Sequence, residues 1–154
     1  MAKTDNRFPP CTVRTLQGSE LDWANAQYAE ADFMQSGAED LILVAEVGEQ
    51  KAGLGRLVTV DSNAAEMGGI YVMPEFRGEN VARAIVQALI AASTYGVLYC
   101  IPFARLRDFY ASFGFVDASA EARIPDTVAA KVAWCSERYP DPVALLMLKR
   151  LSRH

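Results

Sequence analysis

The middle of the chain holds the feature that most constrains the fold: an apolar strand ends at a proline, and a glycine-containing turn then opens a long helix. The strand covers Ala64–Met73, Pro74 stops it, and apolar residues at helical spacing predict a helix from Glu79 to about Thr94. A helix N-terminus carries unpaired backbone N–H groups and partial positive charge, so it can bind phosphate oxygens. The segment predicts a protein of mixed strands and helices with an anion site at this turn.

Two details of this segment bear on that expectation. Arg77 lies in the turn, where its guanidinium could add a charge-assisted bond to the same anion. Gly68-Gly69 interrupts the preceding strand, and a glycine pair inside a strand typically marks a bulge or a close backbone approach. An ordinary capped turn with a solvated arginine is the alternative that the spacing leaves open.

Strand and helix patterns continue on both sides of this segment. The predicted strands are Cys11–Gln17, Glu39–Val47, Lys51–Val60, Val97–Ile101, Phe115–Asp117 and Val143–Leu148, and the predicted helices are Glu20–Phe33, Pro102–Phe113 and Thr127–Ser136. No repeat or low-complexity linker divides the 154 residues. We therefore expect one α+β domain over 1–154 with a mixed, largely antiparallel sheet, in which residues 1–10 form a poorly ordered N-terminal segment.

Charge and residue usage argue against several classes of function. The chain has 15 Lys and Arg against 19 Asp and Glu, and a net charge of −4 argues against binding nucleic acid or anionic lipid. The single histidine is His154, so no metal cluster is expected. Three separated cysteines, with neither a signal-peptide pattern nor an apolar run of about 20 residues, predict a cytoplasmic protein with reduced thiols and no membrane span.

The segment Ile70–Arg83 resembles the acetyl-CoA-binding signature of the GNAT superfamily of N-acyltransferases. Members typically show an apolar strand followed by V-x-P-x-x-R-G-x-G-x-G-R, and this chain reads V-M-P-E-F-R-G-E-N-V-A-R from Val72 onward. The resemblance implies a GNAT-like sheet whose fourth and fifth strands splay apart, with flanking helices. It implies cofactor contacts at Ile70, Tyr71, Val72, Arg77, Gly78, Glu79, Asn80, Val81, Ala82 and Arg83. Asn80 departs from the pattern, since it stands where the family has its middle glycine.

A second segment, Asp108–Phe115, strengthens the resemblance. Its sequence D-F-Y-A-S-F-G-F is similar to the family's F-Y-x-x-x-G-F near the start of the sixth strand. The resemblance implies that Tyr110 lies near the cofactor sulfur and acts as a general acid. A core tyrosine with one satisfied hydroxyl is the open alternative. Phe103 stands where members often carry an asparagine that contacts the pantetheine arm.

Glu66 is the third candidate, at the start of the strand that leads to the proposed cofactor site. Its place matches that of a general-base glutamate in some members, four residues before the backbone that binds pantetheine. A solvated carboxylate is the alternative, because glutamates are usually exposed. The tail, in which Ile124-Pro125 precedes a helix and a terminal V-A-L-L-M-L-K-R, resembles members related to N-acetylglutamate synthase.

The resemblance implies an enzyme that moves an acetyl group from acetyl-CoA to a primary amine of a small molecule, which includes amino acids and related metabolites. The amine would attack the acetyl group directly, and no metal would take part. A non-catalytic acyl-CoA-binding or regulatory domain with the same fold is the alternative, which Asn80 and Phe103 favour. The acceptor would be bound by Glu20–Gly37 and Phe115–Pro142. The sequence leaves a homodimer open.

Overall fold

The structure is a computed structural model that describes residues 10–78, 80–118 and 123–150. The expectation for 1–10 therefore falls almost wholly outside the described residues. The strands are β1 (Cys11–Thr15), β2 (Leu41–Val47), β3 (Gln50–Asp61), β4 (Ala64–Val72), β5 (Val97–Cys100), β6 (Val116–Asp117) and β7 (Leu146–Lys149). The α-helices are α1 (Leu21–Glu30), α2 (Val81–Ala92), α3 (Arg107–Ala111) and α4 (Asp126–Arg138).

The strands form one seven-stranded sheet in the order β1-β2-β3-β4-β5-β7-β6. The β1–β2, β5–β7 and β6–β7 pairs are antiparallel, whereas β4 and β5 are parallel. Two-residue connections join β2 to β3 and β3 to β4, which is the length of a tight hairpin turn. The predicted α+β fold with a mixed, largely antiparallel sheet is confirmed.

The chain divides into two compact units. The first contains Met1–Arg56 and Gly69–Ala92, and the second contains Leu57–Gly68 and Ser93–His154. The division crosses β3 after Arg56 and β4 after Gly68, so both strands contribute to both units. The expectation of a single domain over 1–154 stays a prediction.

The first unit is organised around α2, which packs with β1 and β2. Val81, Ile85 and Leu89 on the apolar stripe of α2 are fully buried, as their helical spacing predicts. A Cβ on Gly55 of β3 would lie 2.6 Å from Ile85 Cγ2 and 3.0 Å from Leu89 Cδ1. Glycine on β3 therefore lets the helix side chains lie close to the strand backbone.

The second unit has its own apolar core between the sheet and α4. Ala64 on β4, Tyr99 on β5, Val128 on α4 and Met147 on β7 form one buried cluster. These residues come from elements far apart in sequence, and their burial holds the parallel β4–β5 pair in this unit.

Several predicted boundaries are wrong. The last strand begins at Leu146 rather than at Val143, because Val143 forms an isolated bridge with Phe103. The first helix was expected over Glu20–Phe33 but ends at Glu30, and Asp32 beyond it has a left-handed φ of 61°. The segment expected to be one helix at Pro102–Phe113 is a 3-10 turn followed by the short α3.

Candidate functional site

The fourth strand extends beyond its parallel neighbour. The β4–β5 register runs from Ala64↔Val97 to Met67↔Cys100, where β5 ends, while β4 continues to Val72. Gly69 in this continuation has a φ of +60°, a conformation that glycine adopts at little cost. The glycine pair thus interrupts regular strand geometry just before Ile70–Val72, as a bulge would. These three residues are half-buried.

Glu66 lies on the part of β4 in the second unit and is 7% exposed. The Lys131 ammonium of α4 donates a hydrogen bond to Glu66 Oε1 at 2.8 Å. A Cβ on Gly68 would lie 2.8 Å from Glu66 Oε2, so glycine at that place leaves room for the carboxylate. The solvated alternative for Glu66 is wrong, because Lys131 compensates the charge that burial would otherwise make costly.

Two cysteines respond electrostatically to this ion pair. Burial raises the pKa of the Cys100 thiol well above its ordinary value; the Glu66 carboxylate adds to the rise and Lys131 opposes it. Burial also raises the pKa of Cys135, with Lys131 lowering it and Glu66 raising it. Both thiols therefore stay protonated at neutral pH, which makes them poor nucleophiles.

Tyr110 lies on α3 in the second unit and is 5% exposed. Its ring packs edge-on against Phe109, with centroids 4.9 Å apart, and against Phe115 at 6.1 Å. Burial raises the pKa of the Tyr110 hydroxyl well above 10, and Cys100 adds in the same direction. The hydroxyl thus carries its proton at neutral pH, as a proton donor must, while the aromatic packing equally fits a core residue.

Arg77 lies in the turn that leads to α2, in the first unit. It is exposed, and its Nε donates to the Val72 carbonyl oxygen at 3.0 Å. Its guanidinium carbon lies 5.6 Å from the centroid of the Tyr71 ring. Because Nε is engaged, Arg77 would contact an anion through its two Nη groups.

The rest of the turn has left-handed backbone on both sides of Glu79, which lies outside the described residues. Gly78 has a φ of +85° and Asn80 a φ of +64°. The Asn80 carbonyl accepts the first helical hydrogen bond, from the Ala84 N–H at 3.1 Å, so Asn80 caps α2. Asparagine tolerates this conformation better than most residues, and Asn80 therefore keeps a backbone that glycine would supply. A Cβ on Gly78 would meet nothing within 4 Å, so this side of the turn is open.

The remaining cofactor candidates belong to the first turn of α2. Val81 is buried, whereas Ala82 and Arg83 are half-buried. Ile70, Tyr71, Val72, Arg77, Gly78, Asn80, Val81, Ala82 and Arg83 therefore all lie in the first unit, and Glu66 and Tyr110 lie in the second.

Sequence reasoning missed Lys131 and Arg56. Lys131 shares a helix face with Val128 and Cys135, at spacings of three and four residues, so a lysine on an apolar stripe was the available signal. Arg56 interrupts the apolar run of β3 and is 3% exposed. A charged residue within such a run indicates either a buried partner or a ligand.

Within the described ranges, no group of three or more His, Cys, Asp or Glu side chains could hold a metal ion. In the same part of the chain, no helix has the length and apolar character needed to cross a membrane.

Known structures of the same fold include proteins solved with CoA compounds. Mycobacterium tuberculosis Rv2747, solved in complex with CoA, is 18% identical with a TM-score of 0.71, over 91% of this chain and 99% of that one. An Elizabethkingia anophelis GNAT acetyltransferase with acetyl-CoA bound is 15% identical with a TM-score of 0.67, over 96% of this chain and 100% of that one. Neisseria gonorrhoeae N-acetylglutamate synthase, complexed with coenzyme A and N-acetyl-glutamate, is 14% identical with a TM-score of 0.66. That match covers 94% of this chain and only 36% of the synthase.

The sequence itself gives the family. No curated protein matches the chain. The family model for the acetyltransferase (GNAT) domain matches residues 38–117, which is more than half of the 154 residues. That range contains the strand, the turn and the helix on which the predicted resemblance rests, and also Tyr110. The chain belongs to the GNAT acetyltransferase family.

Proposed function

We propose that this protein is an N-acetyltransferase that moves an acetyl group from acetyl-CoA to a primary amine of a small molecule. The observation that carries the proposal is β4, which continues past the end of β5 through left-handed Gly69 into the turn that opens α2. In a family of acetyltransferases, this continuation offers one edge of backbone for pantetheine and one helix N-terminus for pyrophosphate.

The cofactor would bind along the first unit. Pantetheine amides can bond to the backbone of Ile70–Val72 as an added strand would. The Val72 carbonyl already accepts from Arg77, so these bonds would use the other backbone groups of the segment. The pyrophosphate would bind the N–H groups between Gly78 and Ala82, with Arg77 Nη groups on the same anion. Fold relatives solved with CoA or acetyl-CoA support this assignment.

The attacking amine must lose its proton. An ammonium with a pKa near 10.4 pays roughly 4.6 kcal/mol to become neutral at pH 7, and a base or a desolvating pocket must offset this cost. Glu66 accepts that proton, directly or through a water, and the hydrogen bond from Lys131 positions its carboxylate. Lys131 is thus a positioning residue in this proposal.

The thioester breaks as the new amide bond forms. The neutral amine attacks the acetyl carbonyl carbon, the carbon–sulfur bond breaks, and the electron pair leaves on the CoA thiolate. Tyr110 gives that thiolate a proton, which its raised pKa keeps on the hydroxyl at neutral pH. The protonated state of Cys100 is consistent with direct transfer rather than an acyl-enzyme.

A non-catalytic acyl-CoA-binding or regulatory domain is the second candidate. Phe103, which stands at the place of a pantetheine-contacting asparagine, packs its ring against Tyr139 at 5.4 Å and supplies no polar group there. Asn80 likewise adds a side chain at the pyrophosphate turn. In either case, the free cysteines support a reducing, cytoplasmic setting.

Release of the CoA thiol separates the two candidates. Acetyl-CoA is offered with a panel of amino acids, polyamines and simple primary amines, and its binding is measured by calorimetry on the same preparation. The transferase predicts amine-dependent thiol release that Glu66→Gln lowers by about 10²–10⁴ without weakening acetyl-CoA binding. Binding with no release above the background across the panel would instead support the non-catalytic domain.

A further inference from the structure

The described residues of the first unit include a buried arginine, Arg56, that has no acidic partner among them. Arg56 on β3 is 3% exposed, and its Nη1 donates to the Ser36 hydroxyl oxygen at 2.6 Å. Across the described ranges, no carboxylate forms an ion pair with it, and its buried Nε has no hydrogen-bond partner. A buried charge is costly unless a counter-charge or hydrogen bonds compensate it.

Arg14, in the same unit, is an arginine whose charge is compensated by carboxylates, and it can be compared with Arg56. It is more exposed than Arg56, yet it contacts two carboxylates, Glu20 at 2.8 Å and Glu46 at 3.0 Å. Arg56 is less exposed than Arg14 and has no carboxylate partner in the part of the chain that the structure describes. Among the described residues the charge of Arg56 is thus left without a carboxylate, as it would be at a site for an anionic ligand.

The aromatic neighbour of Arg56 compensates only part of the charge. The Tyr28 ring centroid lies 4.3 Å from the guanidinium carbon, which is a close cation–π contact. Such a contact contributes less than the burial of an ion costs. An anion is therefore still favoured.

Ser36 is held in place beside this guanidinium. Asn25 accepts a hydrogen bond from the Ser36 N–H at 2.7 Å and donates one to the Ser36 carbonyl at 3.0 Å. The hydroxyl oxygen of Ser36 accepts from Arg56, which leaves its own proton to donate. With Nη1 engaged, the buried Nε of Arg56 is a donor that has no partner among the described residues, and guanidinium N–H donors match a carboxylate.

This pair lies at the start of the proposed pantetheine segment. A Cβ on Gly69 would lie 2.9 Å from Arg56 Nε, so the guanidinium packs against the residue directly before Ile70. We propose that Arg56 and Ser36 bind the carboxylate of the acceptor, and that the acceptor is therefore a carboxylate-bearing amine of the amino-acid class. This inference rests on the proposed acetyl transfer, because it assigns the acceptor of that same reaction.

Matched acceptor pairs test the inference. Each of the common amino acids is compared with its own α-carboxamide, in which the amine is kept and the carboxylate is removed, and kcat/KM is measured from CoA release. A site built for a carboxylate predicts that at least one acid exceeds its amide by about 100-fold or more. Ser36→Ala, which removes one hydroxyl, should lower kcat/KM for that acid by about 10–100-fold, clearly more than for the amide, whose neutral carbonyl accepts a weaker hydrogen bond. Equal values for every acid and amide, or equal losses for both in Ser36→Ala, would overturn the inference.

A binding measurement keeps the test decisive even if no amine is acetylated. The ¹⁵N resonance of the Arg56 Nε–Hε group is assigned by its loss in Arg56→Lys and followed during titration of the wild-type protein, saturated with CoA, with the same acids and amides. Acids should shift this resonance and amides should not, while the Arg14 resonance stays in place as an internal control. A shift by acids without turnover would refute acetyl transfer and leave the carboxylate site standing. No shift by any acid would refute the carboxylate site, whether or not amines are acetylated.

Discussion

The ion pair between Glu66 and Lys131 allows a structural role and a catalytic role to be separated with two substitutions. Lys131→Met removes the ammonium 2.8 Å from a carboxylate whose side chain is only 9% exposed. Breaking a fully buried pair costs about 3–5 kcal/mol. Because the Lys131 side chain is 20% exposed, water can partly replace it, and we expect a loss of about 1.5–3 kcal/mol, the range for a hydrogen bond to a charged group.

Glu66→Gln should cost less, about 1 kcal/mol, because the amide oxygen still accepts from Lys131 and no charge is left buried without a partner. In the Glu66→Gln background, Lys131→Met should lower the free energy of unfolding by less, because no carboxylate remains to be compensated. The coupling energy of this double-mutant cycle should be about 1–2 kcal/mol. Urea unfolding of the four proteins measures these values. Glu137→Gln, an exposed charge change on the same helix, is the matched control.

Turnover on the same preparations then assigns the catalytic role. Glu66→Gln should lower kcat by about 10²–10⁴, whereas Lys131→Met keeps the carboxylate and should lower it less. Additive stability losses would refute the coupled pair. A near-wild-type rate in Glu66→Gln would refute Glu66 as the base, whatever the stabilities show.

Three further outcomes are expected. Tyr110→Phe should lower the free energy of unfolding by about 0.5–1.5 kcal/mol in thermal unfolding. Because it removes a general acid, it should also lower kcat by about 10²–10⁴ and remove the alkaline limb of the pH–rate profile above pH 10. An unchanged rate would show that Tyr110 is only a core residue. Arg77→Ala should weaken CoA binding by about 1.5–3 kcal/mol in calorimetry, and equal affinity would remove it from the site. Hydrogen bonds from Arg14 lower the pKa of Glu20 from 4.5 to about 2. The ionised Glu20 therefore stabilises the folded state fully above pH 4.5, and this stabilisation is lost as the pH falls toward 2. Glu20→Gln should make the urea midpoint depend less on pH between 4.5 and 2. An unchanged slope would show that Glu20 does not cause this pH dependence.

The sequence predicts most of the elements because their signals are local. The stripe of Val81, Ile85 and Leu89 specifies one helix by its own periodicity, and Gly69 marks the bulge because few other residues tolerate its backbone. The turn from Arg77 to Asn80 is likewise recognisable, since its glycine and asparagine carry the left-handed φ angles.

The parts that the sequence does not predict depend on contacts between distant residues. Glu66 is buried with its charge compensated by Lys131, which lies 65 residues later in the chain. Arg56 is buried beside Ser36, which Asn25 fixes from a third segment. The start of β7 is displaced by a bridge between Phe103 and Val143. None of these pairings leaves a periodic signal, so composition and spacing cannot anticipate them.

A crystal structure of the protein with acetyl-CoA tests the proposed cofactor site most directly. Pantetheine amides should form hydrogen bonds to the backbone of Ile70–Val72, and the pyrophosphate should lie on the N–H groups between Gly78 and Ala82, with Arg77 Nη groups within bonding distance of a phosphate oxygen. A cofactor bound elsewhere on the chain, or bound with its pyrophosphate away from the N-terminus of α2, would contradict the proposed site.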